Sequence, residues 1–170
     1  MAPASLFPTI FDVRSDPNFT IAAATEDSLG SVVNITLNAS LSEWTYDDYA
    51  AEIERDGSIF LVANDIEGVT IGFIVGRIIP SSSSDQRNDC EIYNIGVIQP
   101  FRRLGAGTAL LQGFIEVSRR SLCKAVWLEV RCKNSDAILF YENEGFLAVG
   151  ERKSYYSNPL DDAILMQLRI

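Results

Sequence analysis

Arg102-Arg103-Leu104-Gly105-Ala106-Gly107-Thr108 is the stretch whose residue types and spacing best suit a chemical task. Two glycines one residue apart let main chain approach a ligand with no Cβ in the way. A helix starting there presents unpaired N–H groups and the positive end of its dipole, a combination suited to a pyrophosphate. Arg102 and Arg103 add cationic charge to a chain whose net charge is −9. Two other phosphate motifs are absent. No Gly-Lys-Ser/Thr tripeptide follows, and Leu110 stands where a dinucleotide fingerprint requires its third glycine. On its own, Gly-x-Gly before a helix is equally compatible with a simple turn.

The remaining chemistry is bounded by what is missing. The chain has no histidine, which removes Ser-His-Asp and Cys-His catalysis and histidine-ligated metals. Acid–base work falls to carboxylates, tyrosine, lysine, cysteine or bound water. Glu129 alternates with Trp127 and Arg131 on one face of a β-rich run. By itself that placement fits either a base or a solvent-facing partner of Arg131. Tyr141 lies seven residues after Asn134, about two helical turns on, and fits either a proton donor or a core aromatic. Asn134 reads as a helix cap. Cys90, Cys123 and Cys132 are widely spaced with no Cys-x-x-Cys pair, so they read as ordinary thiols rather than a disulfide framework or a zinc site. No residue pattern calls for a metal.

The elements that must position these groups follow from periodicity. A loose arm over residues 1–17 is expected to precede one domain over 18–170. A strand at Phe19–Ala23 leads into a helix that starts at Thr25-Glu26-Asp27-Ser28 and carries apolar residues as far as Leu41. A second helix is expected over Tyr46–Arg55, then a hairpin of Ile59–Ala63 and Val69–Ile79. The polar loop Pro80–Asp89, with Ser81 to Ser84, leads to a strand at Glu91–Ile98. The next helix carries Leu104, Thr108, Leu111 and Ile115 on one face. Ala125–Arg131 reads as a strand, and a helix runs from Asn134 to about Glu144, where Gly145 ends it. Two final strands, Phe146–Gly150 and Ala163–Arg169, flank a tyrosine-rich loop. The order predicts a mixed α/β domain, with a right-handed crossover from Glu91–Ile98 to a parallel Ala125–Arg131.

Composition narrows the partners. With 47% hydrophobic and 22% charged residues over 170 positions, the chain can bury a core. Its acidity argues against a nucleic-acid binder and favours cationic partners such as basic peptides. No apolar run reaches the roughly 20 residues of a membrane span, and no secretory leader is evident. A cytoplasmic protein, monomeric or weakly dimeric, is expected.

Arg102-Arg103-Leu104-Gly105-Ala106-Gly107 matches the form Arg/Gln-x-x-Gly-x-Gly/Ala at every specified position. In this it resembles the cofactor loop of the GNAT superfamily, and Asn94-Ile95-Gly96-Val97 resembles that family's splayed strand. Leu128 to Asn134 and Ala137 to Phe146 resemble, more narrowly, the RimI-type N-terminal α-acetyltransferases. So do Arg152 to Tyr156, Asp162 to Met166 and Trp44-Thr45. The resemblance runs from about Phe19 to Leu168 and is densest from Tyr93 onward. It implies a twisted mixed sheet of about six or seven strands flanked by about four helices. It also implies acetyl-CoA as co-substrate and no metal.

By the same resemblance, Ile95, Gly96 and Val97 would pair with the pantetheine arm, with the Val97 N–H polarising the thioester carbonyl. Arg102, Arg103, Leu104, Gly105, Ala106, Gly107, Thr108 and Asn134 would hold the rest of CoA. Glu129 becomes the base and Tyr141 the acid, while Trp44, Tyr155 and Tyr156 line a peptide groove. The implied acceptor is a protein N-terminus, with a ribosomal protein as the suggested substrate. An α-amine, at about 7.7–8.0 against about 10.4 for lysine, demands less of its base. The alternatives are acetylation of a small-molecule amine or a lysine side chain, and a CoA-binding module without turnover. Two departures stand out. Gly96 replaces the family's common alanine, which would loosen the strand, and Glu43 replaces the proline usual before Trp44.

Overall fold

A computed structural model describes residues 18–39, 41, 44–81 and 87–170. The expected arm over 1–17, Ser42-Glu43 and Ser82 to Ser84 of the polar loop lie outside the described residues. Seven strands and four α-helices are present among those described. They are β1 (Phe19–Ala23), α1 (Glu26–Asn38), α2 (Tyr46–Ile53), β2 (Ser58–Asp65), β3 (Thr70–Ile79), β4 (Asp89–Val97), α3 (Ala106–Arg120), β5 (Ala125–Arg131), α4 (Ser135–Asn143), β6 (Leu147–Ser157) and β7 (Leu160–Arg169). The strand order is β1-β2-β3-β4-β5-β7-β6. β4 and β5 are parallel, as the crossover through α3 requires. No helix is long and apolar enough to cross a membrane among the described residues.

Contacts divide the chain into two compact units. One contains the described residues up to Val75 together with Asn94–Glu116, and the other contains the described residues of Gly76–Tyr93 with Val117–Ile170. In the first unit, Leu29, Val32 and Ile35 recur at helical spacing on α1 and bury against Tyr49 of α2, Phe60 and Val62 of β2, and Phe73 and Val75 of β3. The Tyr49 ring meets Phe73 edge-on with centroids 5.6 Å apart. Its hydroxyl is satisfied inside that core by Thr36 Oγ1 at 2.8 Å and Asn94 Nδ2 at 3.3 Å. A buried phenol with such partners avoids the cost of an unmet polar group.

Gly96 leaves no room for a side chain in its strand. A Cβ there would stand 2.9 Å from both Ile35 Cγ2 and Leu41 Cδ1, and 3.3 Å from Phe73 Cε1. The methyl that alanine would supply is replaced by side chains from α1, the segment after it, and β3.

In the second unit, β7 pairs antiparallel with β5 from Ala125↔Arg169 to Arg131↔Ala163 and with β6 on its other side. β6 runs seven residues beyond the expected Gly150, so Tyr155 and Tyr156 lie in a strand and not in a loop. An edge strand exposed along nearly its whole length needs no apolar alternation, and periodicity therefore missed it. Cys90 and Cys123, far apart in sequence, are free, buried neighbours with their sulfurs 3.0 Å apart. Burial raises both thiols above the usual range.

Gly96→Ala should lower the unfolding free energy by about 1–3 kcal/mol, the range for an overpacked core. Urea denaturation of the two proteins measures it, and equal midpoints would mean that Ile35 and Leu41 yield without cost.

Candidate active site

β4 alternates strictly, burying Cys90, Ile92, Asn94 and Gly96 on one face and leaving Glu91, Tyr93, Ile95 and Val97 half-buried on the other. Its parallel ladder with β5 runs from Asp89↔Ala125 to Ile92↔Leu128 and no further among the described residues. Five residues of β4 therefore lie beyond the ladder, Ile95, Gly96 and Val97 among them.

A single 3₁₀ turn, Gln99–Phe101, follows β4. Arg102 then folds back, its Nε donating to the Val97 carbonyl at 2.9 Å. Arg103 and Gly105 both take positive φ, 61° and 93°. For Gly105 this explains the residue type, since a side chain there would be strained. The first helical bond runs from Ala109 N–H to the Gly105 carbonyl at 2.9 Å. As at any helix start, the first-turn amides of Ala106 and Gly107 have no acceptor within the helix. Leu104 lies before α3 and is exposed, not on its apolar face as expected. The helix begins two residues later because the loop needs them for its positive-φ turn.

In the second unit Glu129 sits one residue past the end of the β4–β5 ladder. Only 11% of its side chain is exposed, and Oε1 lies 3.0 Å from Arg152 Nε of β6. The Tyr155 phenol donates to the same carboxylate, which with burial pushes that phenol up to about 12. Tyr156 donates to the Glu129 main-chain oxygen at 3.2 Å. Arg131 is not the partner of Glu129. Its guanidinium donates to the carbonyls of Pro159 at 2.8 Å and Asn158 at 2.9 Å, and lies over the Tyr156 ring.

Two residues with no role assigned from sequence join this cluster. One is Arg152. The other is Glu91, which is paired across the ladder with Trp127 and so shares a face with Glu129. Burial first, then the charge of Glu129, raises Glu91 above the ordinary carboxylate range. The signal for Glu91 was an acidic residue inside a strand otherwise rich in apolar side chains. Nothing local in the sequence pairs Arg152 with Glu129.

The other expected residues are placed as follows. Tyr141 is buried on α4 with its ring 5.6 Å from Phe146. Burial, then the Tyr156 phenol, raises it well above the usual tyrosine value. Asn134 caps α4, its Oδ1 accepting from Ala137 N–H at 3.2 Å. Trp44 belongs to the first unit and packs on Tyr49 at 5.1 Å between centroids. No group of three or more His, Cys, Asp or Glu side chains could hold a metal ion among the described residues.

The profile of the Acetyltransferase (GNAT) family matches residues 29–146. The chain belongs to the GNAT family. It is of the RimI type, an acetyl-CoA-dependent N-acetyltransferase. An N-alpha-acetyltransferase of Sulfolobus acidocaldarius is 30% identical over 161 residues, 91% of this chain and 95% of its own. The ribosomal protein bS18-alanine N-acetyltransferase of Escherichia coli is 29% identical over 154 residues, 89% and 97% of the two chains. Among solved structures, Ard1 from Thermoplasma volcanium superposes with a TM-score of 0.78 at 28% identity, covering 90% of this chain and 98% of that one. The seven-stranded mixed sheet and four helices are those of the GNAT fold.

This GNAT chain should resist alkaline ionisation at Tyr141 and Tyr155. Tyr141 and Tyr155 favour the neutral phenol in the folded state, so the stability they contribute is complete below the unfolded value near about 10 and lost as pH rises through the folded values. Absorbance at 295 nm should show both still protonated at about pH 11, with full ionisation only on unfolding. Six ionised tyrosines in protein that is native by circular dichroism would contradict the burial of Tyr141.

Proposed function

We propose that the chain transfers acetyl from acetyl-CoA to the N-terminal α-amine of a protein by direct attack. Glu129 acts as the base and Tyr141 as the acid. The observation that carries this reading is the ordered Glu129 carboxylate, nearly buried and gripped by Arg152 and Tyr155. The relatives named for N-terminal acetylation span nearly the whole chain and support the same acceptor.

The amine nitrogen forms its bond to the acetyl carbon while the carbon–sulfur bond breaks. Glu129 takes a proton from nitrogen, and the Tyr141 phenol gives one to the leaving sulfur. A phenol is protonated at neutral pH and so has a proton to give to the departing thiolate. The N–H of Val97 is the donor to the thioester carbonyl, and Ile95 and Gly96 pair with the pantetheine arm. Arg102, Arg103 and the first-turn amides of Ala106, Gly107 and Thr108 hold the pyrophosphate, with Leu104 and Gly105 shaping that turn. The Asn134 side chain contacts CoA in addition to capping α4. Trp44, Tyr155 and Tyr156 line the path of the acceptor peptide. A net charge of −9 favours a basic N-terminus, as on a ribosomal protein.

Peptides carrying a free or a blocked α-amine, each with one internal lysine, test the acceptor when acetylation is followed by mass. The free α-amine should be modified and the blocked peptide left untouched. Acetylation of both at the lysine would overturn the reading. Glu129→Gln and Tyr141→Phe should each lower kcat about 100-fold or more with the melting temperature little changed. Wild-type turnover in both would remove these roles.

A further inference from the structure

The ion pair at Glu129 already contains what an arriving amine would supply. With 11% of its side chain exposed, the carboxylate is nearly out of water, and Arg152 Nε at 3.0 Å balances its charge. An α-amine, with a pKa of about 8, reaches the site at neutral pH mostly as an ammonium. It brings one positive charge and several N–H donors to the same acceptor. Two cations crowded on one carboxylate repel each other. A carboxylate stripped of both would be a buried charge without a partner. Exchange of one cation for the other avoids both costs.

Arg152 is held in a way that permits exchange, as the contrast with Arg131 shows. Arg131 donates through Nη1 and Nη2 to the carbonyls of Pro159 and Asn158 and lies 4.1 Å over the Tyr156 ring. Both prongs of its planar fork are in use. Arg152 instead reaches Glu129 through Nε, and its side chain is 55% exposed. Its guanidinium also lies 5.5 Å from the centroid of the Tyr155 ring, and Glu91 of β4 adds a second negative charge beside it. A guanidinium leaving Glu129 thus keeps a π face and a carboxylate within reach. Tyr155 meanwhile donates its phenol to Glu129. Being neutral, it can keep the carboxylate oriented while the cation changes.

We propose that Arg152 holds the place of the acceptor's ammonium: its guanidinium occupies the cation position on Glu129 when no peptide is bound and yields it to the N-terminal ammonium of an arriving one. This rests on the reading of Glu129 as base toward an α-amine. Glu129 then selects acceptors that arrive as cations, because a neutral group has nothing to put in place of the guanidinium. The product amide is neutral, so Arg152 returns to Glu129 as the acetylated peptide leaves. Arg152 acts through Glu129 and determines specificity without touching the reacting atoms.

Arg152→Met keeps an apolar stem and removes the charge. A free-N-terminus peptide then displaces nothing, so calorimetry on the CoA-bound protein should find it bound about tenfold more tightly, the worth of one charge-assisted hydrogen bond. The same peptide with an acetylated N-terminus should bind both proteins equally. Arg152→Gln should behave as Arg152→Met does, and serves if the latter fails to fold by circular dichroism. Arg152→Lys, which restores a cation, should return the affinity toward that of the wild type. Methylguanidinium at millimolar concentration should fill the vacated position in Arg152→Met. It should raise that variant's melting temperature and compete with the free-N-terminus peptide, and do neither in the wild type.

Unchanged or weaker peptide binding by the uncharged variants overturns the proposal. So does faster acetyl transfer by Arg152→Met on adding methylguanidinium, since either result marks a guanidinium that stays on Glu129 beside the bound peptide. A gain shared by the acetylated peptide overturns it too, because the ammonium would then play no part. If Glu129→Gln is impaired while the uncharged variants bind no more tightly, only this inference falls. If the wild type acetylates no α-amine, or Glu129→Gln turns over normally, the reading beneath it falls as well.

Discussion

A carboxylate with 11% of its side chain exposed needs a cation, and Glu129 has Arg152 at 3.0 Å. A buried charge without such a partner costs several kcal/mol. Arg152 comes from β6, which is separated from β5 in the sheet by β7. The whole C-terminal hairpin is thus the frame that brings one guanidinium to one carboxylate. The register shift between Arg152 and Tyr156 sets three residues of β6 against a single residue of β7. Asp162 holds that detour, accepting from Ser154 N–H at 2.7 Å and from Lys153 Nζ at 2.9 Å. Arg152 is the last regularly paired residue before the detour, and Tyr155 lies within it. Arg131 ties down the far end by binding the carbonyls of Asn158 and Pro159.

The first unit depends on close packing instead. Gly96 carries Ile35 and Leu41 within van der Waals reach of its main chain, and Asn94, two residues earlier, shares the Tyr49 hydroxyl with Thr36. Helix α1, helix α2 and strand β4 are thereby fixed to one another on the buried face of β4. Its other face, with Ile95 and Val97, runs straight into the turn that opens α3. Arg102 closes this path by donating back to the carbonyl of Val97. The strand end and the helix start are linked by a hydrogen bond as well as by sequence.

Much of this was legible from the residues. The parallel β4–α3–β5 unit, the cap at Asn134 and the terminator at Gly145 follow from periodicity and turn chemistry, and the structure has each of them. The Gly105 turn was visible because its residue type is dictated by a positive φ. What escaped depends on contacts between residues distant in sequence. Edge position removed the alternation that would have marked β6 through Tyr156. The Arg152–Glu129 pair spans two strand crossings, and the Cys90–Cys123 contact spans a helix. Arg131, two residues from Glu129 on the same face, was the obvious partner by local spacing. It is drawn away because the hairpin turn offers two carbonyls to a planar fork of donors. Glu91 was visible as an anomaly, but its neighbour Glu129 comes from another strand.

β6 is the last strand of the sheet, and an open edge offers its main chain to any extended segment of another molecule. Flat, regular edges are the ones that seed aggregation. This one carries Glu151, Arg152 and Lys153 in succession, then a break in register, and Lys153 is spanned between two carboxylates. The break in register that follows Arg152 therefore spoils the edge as a template. Straightening the hairpin would remove that protection against pairing with another chain.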